Sequence, residues 1–288
     1  MAKPMIWRKS KSTIAPFYHH HAMIVGGSSG IGKATAQQLA QSGAHLSIIA
    51  RTVTTLEAAK AEIESARIDP DQRVISIAAD ITNAQQIEQA IQTAIRQQGT
   101  PHLLIVAAGM AHSGYFRELP IEVFERTMAV NYFGSLYAIK AVLPAMEQRR
   151  QGHIVLISSG AGLVGIYGYT PYSPSKFALR GLAESLRGEL KASGIHLSIV
   201  YPPDTDTPQL LAENQTKPIE TQRITGSAKT WQPEDVARVI LRGIQRKDFT
   251  IAPGLEMSLL SWLHSLLAPL LRWYFDGLVF KTNREPKQ

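Results

Sequence analysis

Short β-branched apolar runs alternate along most of the chain with longer segments of helical period. The runs at 21–25, 44–50, 73–78 and 102–107 read as strands, and the segments at 31–41, 56–66 and 84–97 as the helices between them, with a further helical segment reaching Met146. Strands at 153–158 and 196–201 flank a long helix over 173–193, another helix opens at Pro233, Glu234 and Asp235, and a seventh strand is expected near 249–252. Such alternation builds a parallel sheet with crossover helices on its faces. The expected fold is α/β and doubly wound, with a parallel sheet of about seven strands. It occupies one domain at 21–254, after a basic extension at 1–20 and before an apolar tail at 255–288.

Two stretches break the alternation. Residues 205–231 are polar and rich in Thr, Lys and Gln, which reads as a loop or loosely helical excursion of the kind that serves as a lid. Residues 255–280 are unusually apolar. Within them Ser258, Ser261, Ser265, Ala268 and Arg272 make a small-or-polar stripe at helical spacing, and Leu259, Leu263, Leu266, Leu270 and Trp273 an apolar stripe that needs a partner. The longest charge-free stretch there, 257–271, is shorter than the ~20 residues a helix needs to span a bilayer, and Pro269 is expected to kink it. Two readings stand: a helix in the membrane interface, helped by Trp262, Trp273, Arg272 and Lys281, or a cover for the cleft or a second subunit.

Charge and composition narrow the partners. The net charge is +7, and no acidic residue precedes Glu57 although Lys3, Arg8, Lys9, Lys11, Lys33 and Arg51 do, which favours an anionic cofactor or lipid surface near the N-terminus. No zinc spacing, clustered basic helix or aromatic RNA-binding signature points to nucleic acid. Cysteine is absent, which excludes disulfides, thiolate metal sites and a cysteine nucleophile and makes a reducing, cytoplasmic setting the default. The first twenty residues carry no apolar run long enough for a signal peptide or a span, and the triplet His19, His20 and His21 has no spaced partner for a metal, so no metal is expected.

Candidate chemistry sits at strand ends. "VGGSSGIGKA" joins the first strand to the first helix, with Gly26, Gly30 and Gly32 spaced so that backbone can approach a pyrophosphate at the positive end of a helix. The second strand ends at Arg51 with no acid nearby, and a guanidinium suits a ribose 2′-phosphate better than a ribose 2′-hydroxyl, which favours NADP. Asp80, after the third strand, reads either as an adenine contact or as a helix cap. In "PYSPSKFALRG", Pro174 marks a helix start, and Tyr172 and Lys176 fall on one face, one turn apart. Alone, that pair also fits a surface tyrosine packed on a lysine stem.

Together these elements resemble the short-chain dehydrogenase/reductase family over 21–252, with Ser159 in "LISSGAG" thirteen positions before Tyr172 and Asn131 in "MAVNYFG". The resemblance implies a Rossmann fold and an oxidoreductase. In it Tyr172 is the general acid, Lys176 stabilises its phenolate and bonds the nicotinamide ribose, Ser159 bonds the substrate carbonyl, and Asn131 holds a proton-relaying water. It implies further that Gly26, Ser28, Ser29, Gly30, Ile31 and Gly32 of the turn hold the cofactor, with Arg51. Asp80 and Ile81 follow on the third strand, Ala108 and Gly109 on the fourth, and Pro202 and Thr205 after the sixth, beside Tyr172 and Lys176.

The departures are Val25 where the family usually has Thr, "VAAG" at 106–109 in place of an Asn-Asn-Ala-Gly turn, and Pro202-Pro203 in place of Pro-Gly. The first two bear on local stability, and the third removes a donor near the nicotinamide. "YPPDTDTP", "AAGMA" and "YSPSKFALRGLAESLR" are similar to one branch of the family, the 3-ketodihydrosphingosine reductases, except that Thr55 stands where that branch tends to have a lysine that supports NADP. The branch implies NADPH and a long-chain keto substrate. The alternatives are a reductase of another apolar ketone, such as a 3-oxoacyl chain or a steroid, and a non-catalytic dinucleotide-binding sensor or scaffold. A homo-oligomer is compatible with the family, and the tail is the candidate for membrane-surface contact.

Overall fold

The computed structural model describes residues 16–226 and 229–284. Lys3, Arg8, Lys9 and Lys11, which carry most of the expected N-terminal charge, lie outside the described residues. Strands β1 (His21–Val25), β2 (His45–Ala50), β3 (Val74–Ala78), β4 (Leu103–Val106), β5 (Gly152–Ile157), β6 (Ile195–Val200) and β7 (Thr250–Ile251) form one sheet in the order β3-β2-β1-β4-β5-β6-β7, every pair parallel.

Side chains of a strand alternate between faces, and here both faces are buried. Met23, Val25, Leu104, Val106, Ile154 and Leu156 pack under α3 (Ala84–Gln98), α5 (Gly134–Arg149) and α6 (Tyr172–Lys191). Ala22, Ile24, Leu103, Ile105, Val155 and Ile157 pack under α1 (Gly30–Ala40), α2 (Val53–Ser65) and α9 (Pro233–Arg246). The strand order reverses where β1 lies between β2 and β4, and that reversal opens a crevice at the strands' carboxyl ends, the usual ligand position in such sheets.

Most elements lie within a residue or two of their sequence-based bounds, and three features add detail that those bounds did not carry. Between α4 (Ile121–Met128) and α5 the chain makes a π-helical turn, Ala129–Phe133. The polar excursion contains two short helices, α7 (Pro208–Asn214) and α8 (Ile219–Thr225), closed at its base where Thr205 bridges Trp231. The Thr207 side chain accepts from Leu210 N at 3.3 Å and so caps α7, whose first residue is Pro208.

The third is the tail, one helix, α10 (Gly254–Arg284), continuous across Pro269. By length and composition 254–282 is apolar enough to cross a membrane, and none of that window is buried. The expected apolar stripe stays uncovered: Leu266 is 74 % and Trp273 77 % exposed, and Leu259, Leu263 and Leu270 are exposed as well. A different face, with Met257, Leu260, Leu267, Leu271 and Phe275, turns inward. Arg223 Nη1 donates to Thr282 Oγ1 at 3.0 Å and ties the far end of α10 to α8.

Candidate active site

A cavity of about 830 Å³ runs across the crevice, from the glycine turn past Tyr172 to the inner face of α10. The turn is shaped for close approach. Gly26 has φ +87°, and a Cβ there would meet Ala108 N at 2.3 Å, while one on Gly32 would meet Gly26 O at 2.1 Å. The substitutions at Val25 and in "VAAG" leave the turn intact because backbone holds it: Ala107 N and Ala108 N donate to Val25 O at 2.8 and 2.9 Å, and Gly26 N to Ile49 O at 2.7 Å.

Three observations fit a dinucleotide. Ser29 is the N-cap of α1 but its side chain makes no capping bond, and Ser28, Ser29, Gly30 and Ile31 line the cavity at the positive helix end. The Arg51 side chain, at the end of β2, has no hydrogen bond or ion pair among the described residues and lines the same cavity. Gly109 leaves open a point that a Cβ would occupy 3.4 Å from Asn131 Oδ1 and 3.5 Å from Lys176 Nζ. Thr55 is spent locally, its hydroxyl donating to Thr52 O at 3.1 Å.

Asp80 does not cap α3, a role taken by Asn83, which accepts from Gln86 N at 3.0 Å. Its Oδ1 accepts from Thr82 N at 2.9 Å and Thr82 Oγ1 at 2.8 Å. Burial alone would raise its carboxyl, but these bonds and the charges of Arg51 and Arg126 outweigh burial and lower it. Arg126, on α4, lines the cavity too and carried no signal beyond an ordinary helix cation. Ile81, Ala108, Pro202 and Thr205 complete the expected cofactor wall, with the Thr205 hydroxyl donating to Pro203 O at 2.8 Å.

Ser159, Tyr172 and Lys176 meet in the middle of the cavity. Ser159 Oγ accepts from Ala161 N at 3.2 Å, which leaves its own proton to donate. Lys176 Nζ stands 5.6 Å from the Tyr172 ring centroid and donates to Ile157 O at 3.0 Å. The expected depression of the Tyr172 phenol by Lys176 is not what dominates here. Burial comes first and raises the phenol above its usual value, polar contact with Ser159 pulls it down, Glu213 and Asp204 push it up, and Gln209 pulls it down. Burial also draws the Lys176 ammonium down to about 8.

Asn131 is the one expected catalytic residue that does not line the cavity. It sits in the π-helical turn, 1 % exposed, with Oδ1 accepting from Met110 N at 2.9 Å and Nδ2 donating to Met110 O at 2.9 Å and Ser175 Oγ at 2.8 Å. Its backbone carbonyl takes the Ser135 hydroxyl at 2.8 Å. These bonds clamp the turn after β4 to α6. Among the described residues no group of three or more His, Asp or Glu is placed to hold a metal.

The sequence reading missed a polar cluster on the lid side: Tyr169, Asp204, Gln209 and Glu213 line the cavity beside Tyr172. Glu213 and Lys217, four apart, pair at 2.9 Å while both are buried, and that spacing was the available signal. The Tyr169 hydroxyl donates to Glu213, and the rings of Tyr169 and Tyr172 meet edge-on with centroids 5.5 Å apart.

The short chain dehydrogenase family profile matches residues 20–218. A 3-ketodihydrosphingosine reductase of Bos taurus is 42% identical over 251 residues, 87% of this chain and 76% of that protein. One of Dictyostelium discoideum is 42% identical over 273 residues, 90% of this chain and 82% of the other. Among solved structures, a short-chain type dehydrogenase/reductase of Mycobacterium ulcerans shares 24% identity with a TM-score of 0.73 over 82% of this chain and 88% of its own. Levodione reductase shares 22% with a TM-score of 0.75 over 82% and 96%. These last two speak for the fold alone. With the profile laid over the glycine turn and the Tyr172–Lys176 pair, and relatives matched along most of both chains, the chain belongs to the short-chain dehydrogenase/reductase family and is an oxidoreductase that works with a nicotinamide dinucleotide.

Proposed function

We propose that the chain is an NADPH-dependent reductase of a long-chain 3-keto sphingoid base, taking 3-ketodihydrosphingosine to dihydrosphingosine. The observation that carries this reading is the single cavity that joins the glycine turn and Tyr172 to an apolar wall built by α10. Such a wall suits a hydrocarbon chain. The relatives named 3-ketodihydrosphingosine reductase support it.

The turn Gly26–Gly32 and Arg51 hold the phosphates, Arg51 reading the ribose 2′-phosphate, and Ile81, Ala108, Gly109, Pro202 and Thr205 line the remainder. When bound, the reduced nicotinamide supplies the hydride that goes to the carbonyl carbon. Ser159 donates a hydrogen bond to the carbonyl oxygen and to the charge developing on it. Tyr172 gives that oxygen its proton. Burial keeps the phenol protonated near neutrality, the state a reductase requires, and the alkoxide is the stronger base, so transfer runs toward product. Lys176, fixed by Ile157 O, keeps two N–H donors for ribose hydroxyls. The catalytic domain is 21–254. Within the tail at 255–288, α10 covers the substrate end with one face and rests on a cytoplasmic membrane surface with the other. The inner face and the tie to α8 favour lying on the bilayer over crossing it, because crossing would strip both from the cavity.

The test is cofactor oxidation by the purified full chain with 3-ketodihydrosphingosine, NADPH beside NADH, and a 3-oxoacyl thioester as competitor. Turnover of the sphingoid ketone with NADPH is expected, and Arg51→Ala should raise the KM for NADPH about 10-fold, the worth of one charge-assisted contact, while leaving NADH nearly unmoved. Turnover of the thioester alone would move the assignment to another apolar ketone, and none with either would point to a sensor.

A further inference from the structure

A sphingoid 3-ketone differs from other long-chain ketones by an ammonium on the carbon next to the carbonyl. Whatever binds that nitrogen must therefore stand beside the residues that handle the carbonyl oxygen. Of the four carboxylates that line the cavity, Asp80, Asp204, Glu213 and Glu256, two act on the Tyr172 phenol, Asp204 and Glu213, and one ammonium, Lys217, faces them both. Glu213 is fully engaged, paired with Lys217 at 2.9 Å and accepting from the Tyr169 hydroxyl. Asp204 is not: its distance to Lys217 is 3.9 Å, and its carboxylate makes no hydrogen bond among the described residues. About a third of its side chain is open, 35 % against 7 % for Glu213. Lys176, the ammonium that lines the cavity beside Tyr172, donates to Ile157 O and has no ion pair with Asp204 among the described residues.

We infer that Asp204 is the specificity residue of this site, its carboxylate receiving the 2-ammonium of the sphingoid base. The inference rests on the substrate reading above and says what selects that substrate over neutral ketones. Within this cluster two carboxylates face one lysine, and a partly buried carboxylate without a close partner is costly until a cation joins it. Burial already holds the Asp204 carboxyl above its usual range, with Lys217 only partly offsetting it. The backbone fixes the residue where it is needed: Trp231 N donates to Asp204 O at 2.8 Å, and Asp206 N to Trp231 O at 2.9 Å, so the carboxylate sits on a strapped loop. Lys217 pins Glu213 and prevents it from competing for the substrate.

The experiment compares kcat/KM for 3-ketodihydrosphingosine with that for the des-amino 3-ketone of the same chain length, in wild type, Asp204→Asn and Asp204→Glu. The buffer stays on the acid side of the substrate amine's titration, and NADPH titration checks that each variant is folded. Wild type should prefer the amino ketone by roughly 10- to 100-fold, as expected for one charge-assisted contact in a desolvated site. Asp204→Asn should erase most of that ratio and Asp204→Glu keep part of it. A ratio unchanged in Asp204→Asn would overturn the role of Asp204 and leave the sphingoid reading standing. Equal wild-type turnover of both ketones would overturn the ammonium site, and no turnover of the amino ketone would overturn that reading together with it. N-acetylated substrate on wild type gives the same answer without a variant, a comparable loss supporting the site and no loss overturning it.

Discussion

Tyr172 and Asn131 show how differently neighbouring site residues work. Tyr172 faces the cavity with its phenol held protonated by burial, so Tyr172→Phe should lower kcat by about 10²- to 10⁴-fold, the usual worth of a positioned acid, with NADPH affinity nearly unchanged by fluorescence titration. Asn131 is buried and bonded to both polar groups of Met110 and to Ser175. Asn131→Ala would strand those partners, at a cost of about 3 kcal/mol, and should lower the midpoint of thermal unfolding together with NADPH affinity. A variant with normal stability and reduced kcat alone would speak for the water-relay role instead. The identities of Tyr172, Lys176 and Ser159 were legible because the chemistry needs those side chains at those spacings. The bonding of Asn131 was not, since its partner Met110 lies 21 residues away on another element.

At the scale of elements, the sheet carries a row of histidines at its amino edge. His21 pairs in register with His45, and His153 with His196, while His102 N donates to His21 O and His153 N to His102 O. His21 Nε2 meets Ser47 Oγ at 2.8 Å and His153 Nε2 meets Ser198 Oγ at 2.7 Å, both buried. Burial pushes His21 down to about 4 and His153 to about 3 from 6.5. Their neutral forms are favoured in the fold, so below pH 6.5 the unfolded chain takes up protons that the folded chain refuses. Stability is fully present above that pH and falls with acidification until the folded values are reached, by roughly 3 kcal/mol for His21 and roughly 5 kcal/mol for His153. Urea unfolding at neutral pH and at about pH 5 should show the lower midpoint in acid, and a pH-independent midpoint would count against these burials.

For the whole molecule, the two apolar faces of α10 are the open matter. The inner face should hold substrate chain: Leu267→Glu or Leu271→Glu should raise the KM for the long-chain ketone about 10-fold or more and scarcely affect a short one, as expected when a charge replaces buried hydrocarbon. The outer face should hold membrane: replacing Trp262, Leu266 and Trp273 by Ser should reduce sedimentation with anionic vesicles while soluble short-ketone turnover persists.

Local order was written in the chain itself. The alternation of apolar runs and helical periods set the strands and helices, because burial on both faces of a parallel sheet demands continuous apolar strands and one-sided helices. Gly32 was determined locally as well, since its Cβ would meet Gly26 O, whereas the clash at Gly26 is with Ala108 on the turn after β4. What only the tertiary structure decided is whatever depends on distant segments meeting. Lys217 and Glu213 become a buried pair, with Asp204 beside them, because the lid folds back over Tyr172, and a charge has no burial until something covers it. The direction in which α10 turns was equally beyond periodicity, because the apolar stripe that periodicity picks out is left exposed and the face that turns inward is chosen by the cavity wall it meets.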